Sequence, residues 1–331
     1  MKKIHAKSSC CGVKIIHFGA RRNQCTKCHR TWRNRKKKRG RKQKRTSKNI
    51  VKKYFSRTLP SSYGRAKEQK VSSDKYEYRL LQSRNLFSRN TEWPILPKTG
   101  SVILVADAKK KKICGKMTTI YFILVRSVSG TTAFVHKPHI EIGDESVAGW
   151  DRAFDTLPES VSKRVLGLVC DGHLGLIYSA RWRYWKIQRC HFHLLKSLVV
   201  RRSIKSTRGN AVVGAKILLL VGTILTTKNN ETLKRAINEI EAIGWESKKG
   251  MLRAIIEGFL NHLDEYRTYL NYPELHLPKT SNSAEAYIGG LQKLLNQAHG
   301  FRTQKSLLKW LEAYIKWRKN ISCNPSDYQP N

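Results

Sequence analysis

Two aspartates follow apolar runs that read as buried strands. Asp107 comes after Val102-Ile-Leu-Val-Ala106, and Asp171 comes after Val165-Leu-Gly-Leu-Val-Cys170. In a mixed α/β sheet the carboxyl ends of such strands gather at one place. A lone Asp after a strand is ordinarily a turn or cap residue. The pair carries more weight here because the chain holds 23 Asp and Glu against 65 Lys and Arg, a formal charge of +42. Two carboxylates brought together repel each other unless a divalent cation sits between them, and Mg²⁺ is a hard ion that oxygen ligands suit. A third acid, Glu285, falls in the first turn of a helix expected over 283–297. Helix rules alone assign it to the helix dipole.

Cysteine supplies a second kind of chemistry. Cys25-Thr-Lys-Cys28 is a knuckle whose spacing chelates one tetrahedral Zn²⁺. Upstream stand Cys10 and Cys11, with Ser8 where a matching knuckle would begin. The expected Zn²⁺ ligands are Cys25, Cys28 and one or both of Cys10 and Cys11, with His5 or His17 as a further candidate. Four of the eight cysteines crowd into the first 28 residues, a pattern of metal ligation rather than of a disulfide framework in an intracellular protein. Farther on, Cys190-His-Phe-His193 is a Cys-x-x-His pair that shares a face if helical. No second pair lies near it in sequence, which favours a structural or DNA-positioning role over metal binding.

The charge is unevenly placed. Residues 1–75 hold 26 Lys and Arg against two acids, and Arg33–Arg45 has ten basic residues in thirteen. Such a run cannot bury itself, and its like charges favour an extended arm. Nucleic acid is the leading partner for a chain this basic. Arg33, Arg35, Lys36, Lys37, Lys38 and Arg39 are the expected phosphate contacts. The stretch after the arm predicts helices over 49–55, 61–69 and 72–83. Its small Ala66, turn Val71 and N-cap serines resemble a helix-turn-helix, with Asp74, Lys75, Tyr78 and Arg79 facing the groove. Trp182, Tyr184 and Trp185 are interleaved with Arg181, Arg183 and Lys186. Core packing is the first expectation for the two tryptophans and base stacking its rival. The most apolar run, Ala211–Leu225, is interrupted by Lys216 and shorter than the ~20 residues of a membrane helix. It reads as a buried helix. No apolar segment marks the first residues as a secretory signal, so no membrane partner and a cytoplasmic, nucleoid-associated location are expected.

These groups need a scaffold. Strands are expected at 101–105, 118–128, 131–135, 165–170 and 186–189, with a helix over 146–157 and another running from Cys190 through 203. Three helical pieces follow over 211–270, then helices over 283–297 and 303–319. Three meandering strands followed by two crossovers is the order of a ribonuclease H-like α/β fold, with an all-helical insertion over about 203–279.

Asp107 after Val-Ile-Leu-Val-Ala, Asp171 after Val-Leu-Gly-Leu-Val-Cys, Cys190-x-x-His193, and Thr280-Ser-Asn282-Ser-Ala-Glu285 together resemble the mutator-type DDE transposases of bacterial insertion sequences, some of which carry an N-terminal zinc-binding module. The similarity runs over roughly residues 101–320 and includes His299-Gly-Phe-Arg302. It implies that Asp107, Asp171 and Glu285 hold two Mg²⁺ (or Mn²⁺) ions, with Cys190, His193 and Asn282 as motif residues. It also implies hydrolysis at element ends followed by strand transfer, acting on terminal inverted repeats and target DNA as a homodimer or larger assembly. The domains expected are a zinc-ribbon-like module at 1–32, a basic arm at 33–48, and a helix-turn-helix-like region at 49–97. The catalytic domain follows at 98–320, then a tail at 321–331. The rivals are an inactive or domesticated DNA-binding regulator and a ribonuclease H-like nuclease.

Overall fold

Short strands β1 (Ile15–His17), β2 (Arg22–Cys25) and β3 (Thr31–Arg33) form an antiparallel sheet in that order, with Ile15 opposite Cys25. A segment this small has little core of its own. The computed structural model describes residues 10–13, 15–17, 22–33, 43–56, 73–113, 115–202, 208–246, 250–297, 301 and 303–323. It divides into two compact units between Ile50 and Val51.

Helix α1 (Gln43–Phe55) begins inside the stretch expected to be extended. Lys and Arg are good helix formers. Burial of Val51 and Phe55 anchors the helix at its C-terminal end, so it propagates back into charged sequence. Phe55 meets Trp310 and Tyr314 edge-on at 5.4 Å. Helix α2 (Ser73–Arg89) runs longer than expected, and Lys316 donates to the Ser88 carbonyl at 2.8 Å. The expected helix over 61–69 and the turn before α2 lie outside the described residues.

The large sheet is built from β4 (Val102–Ile113), β5 (Lys116–Ser127), β6 (Thr132–Val135), β7 (His139–Ile142), β8 (Val165–Cys170), β9 (Lys186–Arg189) and β10 (Asn320–Ser322). Its order is β10-β6-β5-β4-β8-β9, with β7 pairing the far end of β5. The first strand does not stop at Val105. It continues through Lys109–Lys112 as a hairpin arm, Lys110 opposite Thr119 and Ile113 opposite Lys116. The lysine run has no apolar alternation to mark it as strand. Backbone pairing with the threonine-rich β5 holds it there, while lysine side chains stay partly solvated. The two short edge strands, β7 and β10, are additions to the five expected.

Helices cover both faces. α3 (Val147–Asp155), α4 (Glu159–Ser162) and α5 (Leu174–Trp182) lie against one, where Leu104, Ala106, Tyr121 and Ile123 pack on Trp150, Phe154 and Ile177. The strands' other face carries Ile103, Val105, Phe122 and Val169. It packs on Tyr287 and Leu291 of α12 (Asn282–Gln297) and on Leu311 and Tyr314 of α13 (Gln304–Trp317). Between these layers in sequence run α6 (His191–Arg202), α7 (Arg208–Thr226), α8 (Asn230–Glu246), α9 (Gly250–Leu260), α10 (Leu263–Tyr266) and α11 (Thr268–Asn271). They build their own core from Leu198, Val221, Ile224, Ile240 and Phe259. The apolar run at 211–225 falls in α7 but is buried on one face only: Ile217, Leu220, Val221, Ile224 and Leu225 point inward, whereas Val213 and Leu219 are exposed. Among the described residues no helix is long and apolar enough to cross a membrane. The chain is thus a mixed α/β domain, its sheet flanked by helices, with a cysteine cluster near its N-terminus.

Candidate active site and metal centres

The side chains of a strand alternate between its faces. Ile103 and Val105 belong to the α12 face, so Asp107 belongs to it too. Parallel pairing of β4 with β8 ends at Val105 opposite Val169. Asp107 lies just past that point, in mid-strand, and Asp171 lies just past the end of β8. The chain then bends through Gly172 at φ +97°, a conformation that favours glycine. Asp171 is fixed by accepting the His173 N–H at 2.9 Å. His173 in turn caps α5 and lies 3.2 Å from Glu145.

Glu285 arrives from 114 residues beyond Asp171, in the first turn of α12. Its Oε1 accepts the Ser281 hydroxyl at 2.8 Å. Ser281 sits one helical turn earlier, buried, and its position in Thr-Ser-Asn-Ser-Ala-Glu was a legible i, i+4 signal that sequence reasoning passed over. Asn282, the motif residue beside it, is exposed, with its N–H on the Thr280 hydroxyl at 3.4 Å.

The electrostatics tie the three acids together. Burial first, then the charge of Asp171 and more weakly that of Glu285, push Asp107 up to about 7, against opposing effects of His193 and the Ala108 N–H. The three carboxylates lie within electrostatic reach but do not form one tight ligand cluster among the described residues. The tight cluster at this end of the sheet is Cys190, His193 and Glu285, whose ligand atoms all lie within 4.8 Å of one another. The Cys-x-x-His pair thus has a third partner, 92 positions past His193, that its local sequence does not reveal. The Cys190 side chain beside the His193 ring, together with the charges of Glu285 and Asp171, raises that imidazole to about 9 despite its burial.

Backbone and side-chain bonds lock this end of the sheet to the helical block. Cys190 N–H reaches the Cys170 carbonyl at 2.8 Å, and His191 N–H reaches the Lys279 carbonyl at 2.9 Å. Buried Gln188 donates to the Tyr266 carbonyl and accepts the Tyr269 N–H, each at 2.9 Å. Arg189 pairs with Glu265 at 2.5 Å, and the same carboxylate takes Arg181. Sequence reasoning missed Gln188, Arg189 and Glu265, because their partners lie more than 70 residues away.

The aromatic trio splits. Trp185 is buried and packs edge-on against Phe154 at 5.1 Å, as core packing requires. Trp182 is 83% and Tyr184 93% exposed. The helix ends at Trp182, and Tyr184 takes a left-handed turn at φ 59°, so the two rings leave the core. With Val147, Asp151, Tyr178 and Arg181 they line a surface cleft.

In the small unit, Cys10, Cys11, Cys25 and Cys28 bring their sulfurs within 4.8 Å of one another, Cys10 and Cys28 standing at 3.4 Å. Cys25 ends β2, and a tight turn returns His29 N–H to its carbonyl at 3.0 Å. Four zinc-bound thiolates stand about 3.8 Å apart, so the donor set fits Zn²⁺. A hydrogen bond with Cys28 first, then burial and bonds with Cys25 and Cys10, push the Cys11 thiol up to about 12. A four-cysteine metal-binding region is therefore present. Both Cys10 and Cys11 belong to it, so Cys11 supplies the thiol that Ser8 lacks.

Searches against family models and against curated proteins find no match to this chain.

Of the expected DNA contacts, Arg33 ends β3, and Lys75 and Arg79 fall in α2. The side chains of those three, all of Arg35, Lys36, Lys37, Lys38 and Arg39, and His5 with the His17 side chain lie outside the described residues.

Proposed function

We propose that this protein is a DNA transposase of the DDE class, acting through a ribonuclease H-like domain. The observation that carries the reading is that Asp171 and, more weakly, Glu285 lie within electrostatic reach of Asp107 beyond the parallel strand ends, in a chain of net charge +42. Acids are scarce here, and an arrangement that pushes Asp107 up to about 7 is electrostatically unfavourable without a cation. The strand order β6-β5-β4-β8-β9, three antiparallel then two parallel, supports the ribonuclease H-like assignment.

Asp107, Asp171 and Glu285 are the residues that would hold Mg²⁺ or Mn²⁺, which supplies charge neutralisation and an activated oxygen nucleophile. The rest belongs to the chain itself. Ser281 orients Glu285, the His173 N–H orients Asp171, and the β4–β5 pairing, with Asp107 opposite Phe122, fixes Asp107. Exposed Trp182 and Tyr184 offer ring faces on which unpaired bases could stack. The four-cysteine region and the basic arm engage the element ends, and phosphate contacts supply affinity more than sequence choice.

A plasmid carrying the DNA that flanks the gene tests the reading. Wild type with Mg²⁺ should cut at the element ends and join the freed 3′ ends to a second plasmid. Asp107→Asn, Asp171→Asn and Glu285→Gln should each lower cutting at least a hundredfold while still retarding the same DNA. Cutting without joining points to a nuclease instead. Retardation without cutting by wild type points to a binding-only regulator.

A further inference from the structure

We infer that Cys190, His193 and Glu285 form a second transition-metal site, suited to a Zn²⁺-class ion and separate from the four-cysteine cluster. Nδ1 of His193 stands 3.4 Å from Oε1 of Glu285, and Sγ of Cys190 stands 3.9 Å from the same oxygen. A tetrahedral ion with Zn–S of about 2.3 Å and Zn–N and Zn–O of about 2.0 Å holds nitrogen and oxygen about 3.3 Å apart, and sulfur and oxygen about 3.5 Å apart. The three atoms therefore stand near ligand spacing before any ion arrives.

Two further observations point to an ion. Nδ1 of His193 is buried and faces Glu285 Oε1 at 3.4 Å without hydrogen-bond geometry, an arrangement that a shared ion would satisfy. Ser281 donates its hydroxyl to Glu285 Oε1 at 2.8 Å and its N–H to Cys190 Sγ at 3.2 Å. One buried residue thus orients two of the three ligands, as outer hydrogen bonds do around bound metals. A thiol, an imidazole and a carboxylate together suit Zn²⁺ better than Mg²⁺, which takes oxygen ligands. Three protein ligands leave a fourth position for water or an incoming group.

The position in the chain gives the site a role. Cys190 and His193 precede the helices α7–α11 and Glu285 follows them, so one ion clamps the two ends of the helical block at the sheet. This inference shares Glu285 with the transposase reading, but Zn²⁺ uptake is measured without DNA and through Cys190 and His193, so the two fail separately.

The test uses the full chain as wild type, Cys190→Ser, His193→Asn and Asp107→Asn. Each is dialysed against micromolar Zn²⁺ with millimolar Mg²⁺ present to occupy oxygen-only sites. Wild type and Asp107→Asn should each retain two Zn²⁺ per chain, and Cys190→Ser and His193→Asn one. Zn²⁺ should raise the unfolding temperature of wild type more than that of either single-ion variant. Co²⁺ in wild type should give a mixed sulfur, nitrogen and oxygen spectrum beside that of the four-thiolate site, a result that holds even if a variant fails to fold. One ion per wild-type chain, two retained by both Cys190→Ser and His193→Asn, or loss of one in Asp107→Asn would each overturn the inference.

Discussion

Replacing Asp107 with Asn should stabilise the metal-free protein, and the gain should grow with pH. Asp107 has a folded-state pKa of about 7 against an ordinary value of 3.8. A carboxyl raised in this way binds its proton more tightly folded than unfolded, so stability falls as pH climbs from about 4 to about 7 and then levels off. The difference is about three units at 1.36 kcal/mol each, which sets an upper bound of about 4 kcal/mol above pH 7. An asparagine side chain keeps the shape of the aspartate and carries no charge to desolvate. With an unfolding entropy of ~2.1 cal/mol/K per residue over the larger unit, that bound corresponds to roughly 7 °C in Tm. The assay is thermal unfolding of wild type and Asp107→Asn in chelator from pH 4.5 to 8. The two should melt nearly together at the acid end and separate by several degrees by pH 7.5. The His193 ring, raised to about 9, loses its own stabilising proton across pH 6.5–9 in both proteins, so the difference below pH 7 reports Asp107. Adding Mg²⁺ should raise wild type and leave Asp107→Asn nearly unmoved. A separation that is flat with pH, or Mg²⁺ stabilisation equal in both, refutes the assignment of Asp107 to a strained carboxylate group.

Neutralising Lys36, Lys37, Lys38 and Arg39 should weaken binding to all DNA alike and lower the slope of log K against log salt by up to ~3–4, read by titration at three salt concentrations. A fragment of residues 1–48 should purify with one Zn²⁺. Cys25→Ser or Cys28→Ser should remove that ion and weaken specific end binding in the full chain, measured by metal analysis and gel retardation. Trp182→Ala should leave Tm unchanged and weaken single-strand binding by about 5- to 100-fold, the worth of one base stack. Trp185→Ala, which empties a buried site, should cost about 3–5 kcal/mol of stability instead.

The sequence by itself determined what was local. The strand at 165–170 was legible to the residue, because a buried parallel strand is a short apolar run with clear ends. The Cys25–Cys28 knuckle and the helix that carries Glu285 were legible for the same reason, since spacing and capping act within a few residues. Only the tertiary structure decided what depends on pairing across the chain. It ran β4 through Lys109–Lys112 because a partner strand stabilises a sequence with no strand pattern of its own. It put both Cys10 and Cys11 into one cluster, a matter of how a turn closes rather than of spacing. Trp182 was turned outward and Trp185 inward, three residues apart, by the end of α5 and the left-handed turn at Tyr184. The pairing of Cys190 and His193 with Glu285 was set by the fold alone. Ligands 92 residues apart meet only when the helical block between them returns the chain to the same end of the sheet.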